Sequence, residues 1–281
     1  MNPSYTQKYT LVVAVNDDKI LAENLAKSPC YSVLSVRLLR NCPSASTAFN
    51  QALGGIDSRY CILAHQDAYL PTPWLARMDA LIDRIEAADG ADWAVLGVAG
   101  TNSGGRVVGK LWSEGIAAEI DKGGDIEAVV SLDEVLLVIN MDSGIRFDAG
   151  LPGFHLYGTD IVQTALKIGQ KCYAVRNPII HNDRPKYFLD RGFKKAFGYM
   201  VDKWHEALPI PTTVAVLERK SWSIHWRNLR QLKSYIVKGQ RGKSDPQALA
   251  ASLKYENGII ATQAPFITGE SIAAVSSGVM K

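Results

Sequence analysis

Short apolar runs alternate with helical segments along the first two-thirds of this 281-residue sequence. Runs rich in β-branched residues, such as YTLVVAV at 9–15, have the length and composition of buried strands. Strands are predicted at residues 9–15, 32–39, 60–64, 93–98, 135–140 and 171–175, and helices at 20–27, 46–53, 72–88 and 159–168. This alternation favours an α/β fold with a mostly parallel sheet flanked by helices.

The pattern changes near residue 185. Beyond it the sequence is helix-like and rich in tryptophan and basic residues, and the LPIP segment at 208–211 marks a joint. We therefore predict a main α/β domain at 1–185 and a helical, basic carboxyl-terminal region at 186–281. Small residues predominate from about residue 263, which predicts a poorly ordered tail. Within the main domain, TNSGGRVVGK at 101–110 predicts a hairpin.

Composition narrows the class of protein. A formal net charge of +3 without a recognised motif gives no reason to expect a nucleic-acid partner. The four cysteines show no CxxC spacing and are predicted to be reduced thiols. The amino terminus does not resemble a signal peptide, and no apolar stretch approaches the roughly 20 residues that a membrane helix needs. We therefore expect a cytoplasmic location.

Motifs that define several other enzyme classes are missing from the sequence. Neither GxxxxGK[ST] nor a strand-linked GxGxxG occurs, which disfavours kinases and dinucleotide-dependent enzymes. GxSxG is also missing, so a serine hydrolase has little support.

Polar residues follow predicted strands at three points. NDD at 16–18 follows the first strand, and HQD at 65–67 follows the third. His181 follows the last apolar pair, and Asp160 opens a predicted helix. The carboxyl ends of parallel strands meet at one edge of a sheet, so these groups should converge there. A carboxylate and an imidazole together could hold Mn²⁺ or Mg²⁺ against a diphosphate, and a second carboxylate could accept a proton.

Four segments in this order carry a family resemblance: ILAHQDAYLPTPWL, LDEVLLVI, FDAGLPGFHLYGTDIVQTALKIGQKCYAV and IIHN. The sequence resembles the family-2 glycosyltransferases of GT-A fold over about residues 10–183. Within them it is most similar to the subgroup named for a streptomycin-biosynthesis-associated glycosyltransferase-like domain. The resemblance implies that residues 1–185 form the catalytic domain.

The resemblance also implies a nucleoside-diphosphate-sugar donor and a divalent metal ion. Asn16 and Asp17 match contacts to the base or ribose, and Asn50 falls in the second nucleotide-binding helix. Asp67 matches the last Asp of the DxD motif, which holds Mn²⁺ or Mg²⁺ against the diphosphate. His181 matches a later metal or diphosphate ligand.

The HQD segment departs from the family pattern at His65, where the family commonly has Asp. This change removes one negative charge from the nucleotide side of the site. His65 and Gln66 are predicted to bind the nucleotide, with His65 donating a hydrogen bond to the ribose or a phosphate. Asp67 remains available for the metal.

The FHLYGTD segment supplies the remaining predicted residues. Asp160 matches the family's catalytic base, which would deprotonate an acceptor hydroxyl. His155 and Tyr157 are predicted to line the acceptor site. The acceptor class implied is a hydroxyl-bearing glycan, a lipid-linked molecule or a small molecule, as in polysaccharide or glycoconjugate biosynthesis.

Each of these residues also has a purely structural interpretation. NDD at 16–18 is an ordinary turn and helix-capping sequence, and Asp67 could serve the same purpose before the next helix. Asp160 could be a first-turn carboxylate that the helix dipole favours. His181 could be a simple loop histidine, and His155 a structural one.

Basic residues and tryptophans are interleaved in the segment at 219–243, which contains no acidic residue. This pattern suits peripheral contact with an anionic membrane at the inner face. The alternative is a helix that packs its apolar side chains on the main domain and exposes its charges.

The resemblance thus implies an enzyme: an inverting, metal-dependent glycosyltransferase that moves a sugar from a nucleoside diphosphate to a hydroxyl. Two other functions stay open. A nucleotide-sugar-binding module could have lost turnover through the change at His65, and a metal-dependent hydrolase could use Asp160 to activate water.

Overall fold

A computed structural model describes the protein at residues 3–183, 189–220 and 244–256. The strands, in chain order, are β1 Tyr9–Val15, β2 Ser35–Arg40, β3 Tyr60–His65, β4 Ala68–Tyr69, β5 Trp93–Gly97, β6 Ala99–Thr101, β7 Val107–Ser113, β8 Ala118–Lys122, β9 Ile126–Ala128, β10 Ser131–Leu132, β11 Leu136–Asn140, β12 Lys171–Val175, β13 Ile180–His181, β14 Ile210–Pro211 and β15 Val216–Leu217. The α-helices are α1 Pro3–Lys8, α2 Asp18–Glu23, α3 Ala45–Leu53, α4 Trp74–Asp89, α5 Tyr157–Lys167, α6 Arg191–Lys203 and α7 Pro246–Ser252.

The main sheet has seven strands within the described residues, in the order β2-β1-β3-β11-β5-β12-β9. β2, β1 and β3 are parallel, as are β5 and β12. β11 lies antiparallel between β3 and β5, and β9 is antiparallel to β12. Five strands therefore point one way and two point the other. The predicted α/β class with flanking helices is confirmed, and the two reversed strands make the sheet mixed.

The core lies on both faces of this sheet, because alternate residues of its strands point to opposite sides. Val12 of β1 belongs to one buried cluster, while its neighbours Leu11 and Val13 belong to the other. Helix α4 packs on the second cluster through Met78 and Leu81. The near-continuous apolar runs that predicted buried strands therefore reflect burial on both faces.

A second sheet of six strands in the described residues has the order β10-β6-β7-β13-β4, with β8 beside β7. β6 and β7 form the hairpin predicted from residues 101–110. The polar residues that follow this hairpin, whose conformation the sequence did not indicate, form β8 and β9. This sheet matters for the candidate site because β4 and β13 belong to it.

The carboxyl-terminal residues that the structure describes pack on the main domain. α6 enters the core of the main sheet through Phe193, Phe197 and Met200. Ala250 of α7 packs with Tyr69 of β4. This region contains the helices α6 and α7 and the strands β14 and β15. The boundary at residue 185, residues 221–243 of the basic segment and the small-residue tail lie outside the described residues.

None of the described helices combines the length and apolar character that crossing a membrane would require. The four cysteines are free thiols, and three of them, Cys30, Cys61 and Cys172, are buried. This agrees with the reduced thiols expected from the sequence.

Candidate functional site

The HQD segment lies where β3 ends and the short strand β4 begins. His65 is the last residue of β3, and its backbone N–H donates to the Val135 carbonyl oxygen at 3.0 Å. Because β1 and β3 are parallel, with Ala14 opposite His65, the residues after β1 lie at the same edge of the sheet. The predicted convergence of the first and third strand ends is therefore present.

Gln66 links these two strand ends. Its Oε1 accepts hydrogen bonds from the backbone N–H groups of Asn16 at 3.1 Å and Asp17 at 3.2 Å, and its Nε2 donates to the Asn16 side chain. Asp17 also caps α2, because its Oδ1 accepts from the N–H groups of Lys19 and Ile20. The structural interpretation of Asp17 thus holds, and the nucleotide roles of Asn16, Asp17 and Gln66 stay predictions.

Antiparallel pairing of β4 with β13 brings Asp67 beside His181. In this pairing His181 lies opposite Ala68, and the Asn182 N–H donates to the Asp67 carbonyl oxygen at 2.9 Å. The His181 Nε2 lies 3.4 Å from Asp67 Oδ1. Burial raises the pKa of Asp67, but the charge and hydrogen bond of His181 outweigh it and hold that pKa well below its ordinary value. Asp67 is therefore a carboxylate with a cationic neighbour.

A second carboxylate lies behind His181. Asp183 Oδ1 is 3.7 Å from His181 Nδ1 and accepts from the Ser113 hydroxyl at 3.0 Å and the Gly115 N–H at 2.8 Å. A Cβ at Gly115 would collide with the Asp183 carboxylate, so glycine permits this contact. Burial lowers the pKa of His181, but Asp67 and Asp183 raise it to about 9. Sequence reasoning missed Asp183, and its only signal was its position two residues after His181.

His65 completes a three-residue cluster with Asp67 and His181. One ligand atom from each of the three side chains lies within 4.8 Å of the others. His65 Nδ1 is 3.9 Å from Asp67 Oδ1, and the two imidazole rings meet edge to face with centroids 5.5 Å apart. Two imidazoles and a carboxylate suit a transition-metal divalent cation. His65, predicted only as a nucleotide contact, is thus also a candidate metal ligand.

Tyr157, the first residue of α5, lies behind His65. Its hydroxyl donates to the Glu134 carbonyl oxygen at 3.0 Å and lies 3.2 Å from His65 Nε2. The side chain is buried, with the residue 3% exposed. The hydroxyl thus faces His65, and the contact of Tyr157 with an acceptor stays a prediction.

Two acidic residues that the sequence analysis left without a role lie beside this cluster. The Glu134 carboxyl group lies near the backbone N–H groups of Leu156 and Gly158 at the start of α5, which favour its ionised form. Burial and then the nearby Asp133 raise the pKa of Glu134 to about 8. Asp133 accepts from the Thr213 hydroxyl at 2.8 Å. Both acids belong to the LDEVLLVI segment, where their position before a buried strand was the available signal.

Asp160 lies in the first turn of α5 and is 1% exposed. Its Oδ1 accepts hydrogen bonds from Lys203 Nζ at 2.7 Å and Trp204 Nε1 at 2.8 Å, both at the end of α6. Its Oδ2 makes no hydrogen bond within the described part of the chain. Burial raises the pKa of Asp160, and Lys203 limits this rise without cancelling it. The predicted base is thus covered by α6, and its role stays a prediction.

Asn50 and His155 make structural contacts. Asn50 forms two hydrogen bonds to the backbone of Phe147, donating to its carbonyl oxygen at 2.7 Å and accepting from its N–H at 2.9 Å. His155 Nε2 lies 3.5 Å from Asp190 Oδ1, and its ring meets Phe193 of α6. Asn50 as a nucleotide contact and His155 as an acceptor contact stay predictions.

No family model matches the chain, and a curated protein is similar to part of it. A protein of Fuscovulum blasticum described as "ATP synthase subunits region ORF 6" is 27% identical over 164 residues. The matched segment is 57% of this chain and 65% of that protein, so the chain spans just under two thirds of this relative's length.

The solved structures that are partly similar to this chain include two that cover most of it. A mannosyltransferase from Pyrobaculum calidifontis, solved with GDP-Man and Mn²⁺, shares 12% identity at a TM-score of 0.41, covering 98% of this chain and 80% of that chain. A crystal structure of S. aureus TarS shares 12% identity at a TM-score of 0.43, covering 83% of this chain and 72% of that chain.

Proposed function

We propose that the protein is a metal-dependent glycosyltransferase of GT-A fold that transfers a sugar from a nucleoside diphosphate to a hydroxyl acceptor. The observation that carries this proposal is the cluster of His65, Asp67 and His181 at the edge where β1 and β3 end. The sequence resemblance implies that the nucleoside-diphosphate-sugar donor binds at this edge. Ligands of α/β proteins generally bind outside the carboxyl ends of the strands.

The donor set fits a divalent cation. His65, Asp67 and His181 would hold it through two imidazole nitrogens and a carboxylate oxygen. Mn²⁺ accepts such mixed ligands, whereas Mg²⁺ prefers oxygen ligands and water, so we favour Mn²⁺ over Mg²⁺ as the bound cation. When bound, the cation would supply positive charge that stabilises the departing diphosphate.

The chain's own residues would orient the donor beside this cluster. Gln66 fixes the backbone at the end of β1 through its contacts with Asn16 and Asp17. A rigid strand end that presents polar groups can bind the base or ribose without large reorganisation. Asn16 and Asp17 are both exposed, so they are accessible to a nucleotide.

Asp160 remains our candidate for the base. Its Oδ2 is the carboxylate oxygen without a hydrogen-bond partner in the described residues, and its pKa is raised, which suits proton acceptance. The residue is 1% exposed, so an acceptor hydroxyl can reach Oδ2 only after the groups that cover Asp160 move. By the resemblance, attack would invert the anomeric carbon.

The covered state of Asp160 favours one alternative function. If Asp160 stays covered, the protein would bind nucleotide sugars without transferring them. Donor binding without sugar transfer to any hydroxyl acceptor would support this binding module and contradict the transferase.

A thermal-shift screen tests the proposed function. Nucleoside diphosphates should raise the unfolding temperature more with Mn²⁺ than with a chelator, because a ligand selective for the folded state stabilises it. No shift with any nucleoside diphosphate would contradict a nucleotide-sugar site. Release of free sugar without an acceptor, measured on the same donors, would indicate hydrolysis instead of transfer.

Peripheral contact with an anionic membrane, and with it a location at the inner face, is a separate proposal. It depends on the basic residues at 219–243, of which 221–243 lie outside the described residues. Sedimentation with anionic vesicles should weaken as salt screens the charges, and equal binding to neutral vesicles would contradict this contact.

A further inference from the structure

A hydrogen-bonded chain leads from the backbone before β11 to the ring of His65. The Tyr157 hydroxyl lies 3.0 Å from the Glu134 carbonyl oxygen and 3.2 Å from His65 Nε2. A carbonyl oxygen can only accept, and a hydroxyl has a single proton. The Tyr157 proton therefore lies towards Glu134, and the Tyr157 oxygen must accept from His65.

This order of donors determines which His65 nitrogen carries the proton. If Nε2 donates to Tyr157, the neutral ring holds its proton on Nε2 and a lone pair on Nδ1. Nδ1 is the atom 3.9 Å from Asp67 Oδ1, the same carboxylate oxygen that lies 3.4 Å from His181 Nε2. The lone pair of His65 thus belongs to the side of the ring that faces the other two candidate ligands.

We propose that Tyr157 is a positioning residue that holds His65 as an Nδ1 metal ligand and so makes the site selective for Mn²⁺ over Mg²⁺. The inference rests on the metal site of the proposed function. The replacement of the family's common Asp by His65 would thus change the choice of metal, because an imidazole takes the place of a carboxylate ligand. Nitrogen ligands suit transition metals, whereas Mg²⁺ retains oxygen ligands.

Packing places Tyr157 independently of its hydroxyl. The ring meets Phe49 and Phe147 edge to face, with centroids 5.5 Å and 6.0 Å away. A Cβ at Gly158 would lie 2.6 Å from the Leu132 carbonyl oxygen, so only glycine lets α5 approach the end of β10 this closely. Tyr157→Phe therefore removes the hydroxyl while the aromatic packing remains.

Residues that orient a metal-bound histidine typically contribute about 10- to 100-fold to metal affinity. We accordingly expect Tyr157→Phe to reduce the ratio of Mn²⁺ to Mg²⁺ affinity by about 10-fold or more. A suitable control is Tyr60→Phe, since Tyr60 is equally buried and donates its hydroxyl to Glu86 at the opposite end of β3.

Two measurements on the whole chain test the inference. Long-range ¹H–¹⁵N NMR of labelled histidines, assigned with His65→Gln, reports the His65 tautomer without metal. Electron paramagnetic resonance of free Mn²⁺, with Mg²⁺ as competitor, gives the affinity ratio for the wild type, Tyr157→Phe and Tyr60→Phe. We expect the Nε2–H tautomer in the wild type, its loss in Tyr157→Phe, and a reduced ratio in that variant alone.

The outcomes separate this inference from the proposed function. An Nδ1–H tautomer in the metal-free wild type would overturn the role of Tyr157, whether or not metal binds. Unchanged Mn²⁺ selectivity in Tyr157→Phe would overturn it while leaving the metal site intact. Failure of the wild type to bind Mn²⁺ would contradict both the selectivity and the proposed metal site, and the NMR spectrum would still decide the tautomer.

Discussion

Two carboxylates that the sequence singled out for chemistry, Asp67 and Asp160, have opposite surroundings. The Asp67 side chain is 25% exposed and faces the imidazoles of His65 and His181. The Asp160 side chain is 1% exposed and is bound by Lys203. Both negative charges are compensated, but by groups with different chemistry.

The difference shows what each site can do. Imidazoles beside Asp67 can become ligands when a divalent cation takes the place of a proton. Lys203 beside Asp160 offers only donors, so it can neutralise the carboxylate but cannot share a metal with it. The Asp67 cluster is thus suited to metal binding. Asp160 is suited to accepting a proton, but only after its buried carboxylate becomes exposed.

The largest predicted effect comes from removing the Asp160 carboxylate. Asp160→Asn keeps the size and the capacity to accept from Lys203 and Trp204, but it cannot take a proton. We expect donor binding to survive while sugar transfer falls by about 10²-fold or more. The measurement is donor affinity alongside transfer rate, once a working acceptor is known.

Asp148→Asn is the matched control for this variant. Asp148 is the other carboxylate that binds Lys203, at 2.7 Å, and it also accepts from Tyr199 at 2.8 Å. Equal losses of transfer in both variants would indicate that Asp160 only anchors α6. Near-normal transfer by Asp160→Asn would contradict its role as the base.

A second prediction concerns Glu134, whose carboxyl group lies near the start of α5. Its pKa is raised from 4.5 to about 8, so between these pH values the folded protein keeps a proton that the unfolded chain has lost. The free energy of unfolding should therefore fall as pH rises through this window, by up to about 1.4 kcal/mol per pH unit. Glu134→Gln should remove this part of the decline.

Urea unfolding at several pH values between 5 and 8 measures the effect. Glu206→Gln is the control, since Glu206 has the same chemistry and its side chain is 91% exposed. A Glu134→Gln variant with the wild-type pH dependence would show that Glu134 does not hold a proton in the folded state.

The smallest predicted effect tests the close packing that supports the Asp67 cluster. Gly158→Ala introduces a Cβ 2.6 Å from the Leu132 carbonyl oxygen, so α5 must shift. We expect a loss of about 1–3 kcal/mol in the free energy of unfolding, as for other overpacked sites. Gly198→Ala in α6, where a Cβ meets nothing within 4 Å, should be neutral or stabilising. Similar effects in both variants would contradict the close-approach account.

The local sequence pattern predicted the buried strands of the main sheet. The apolar runs gave β1, β3 and β12 nearly at their observed ends because burial on both faces leaves a continuous apolar signal. The second sheet was largely missed because β4, β10 and β13 have two residues each, too few for a period to appear.

The candidate site shows the same limit. Asp67 and His181 could be singled out because each follows an apolar strand. The contact of Lys203 with Asp160 and that of Tyr157 with His65 could not be predicted, since they depend on how α6 and α5 pack against distant segments. A partner supplied by remote packing leaves no local signal in a single sequence.

The most direct test of the central claim is calorimetry of nucleoside diphosphate binding with Mn²⁺ and with a chelator, on the wild type and Asp67→Ala. The control is Asp57→Ala, because Asp57 is an exposed aspartate that precedes the start of β3, whereas Asp67 follows its end. Residues that only hydrogen-bond to a metal ligand already contribute about 10- to 100-fold to metal affinity. Loss of Asp67, itself a proposed ligand, should therefore weaken Mn²⁺-dependent nucleotide binding by about 100-fold or more. We expect Asp57→Ala to bind as the wild type does. Unchanged Mn²⁺-dependent binding by Asp67→Ala would contradict the claim that this cluster holds a metal against the diphosphate.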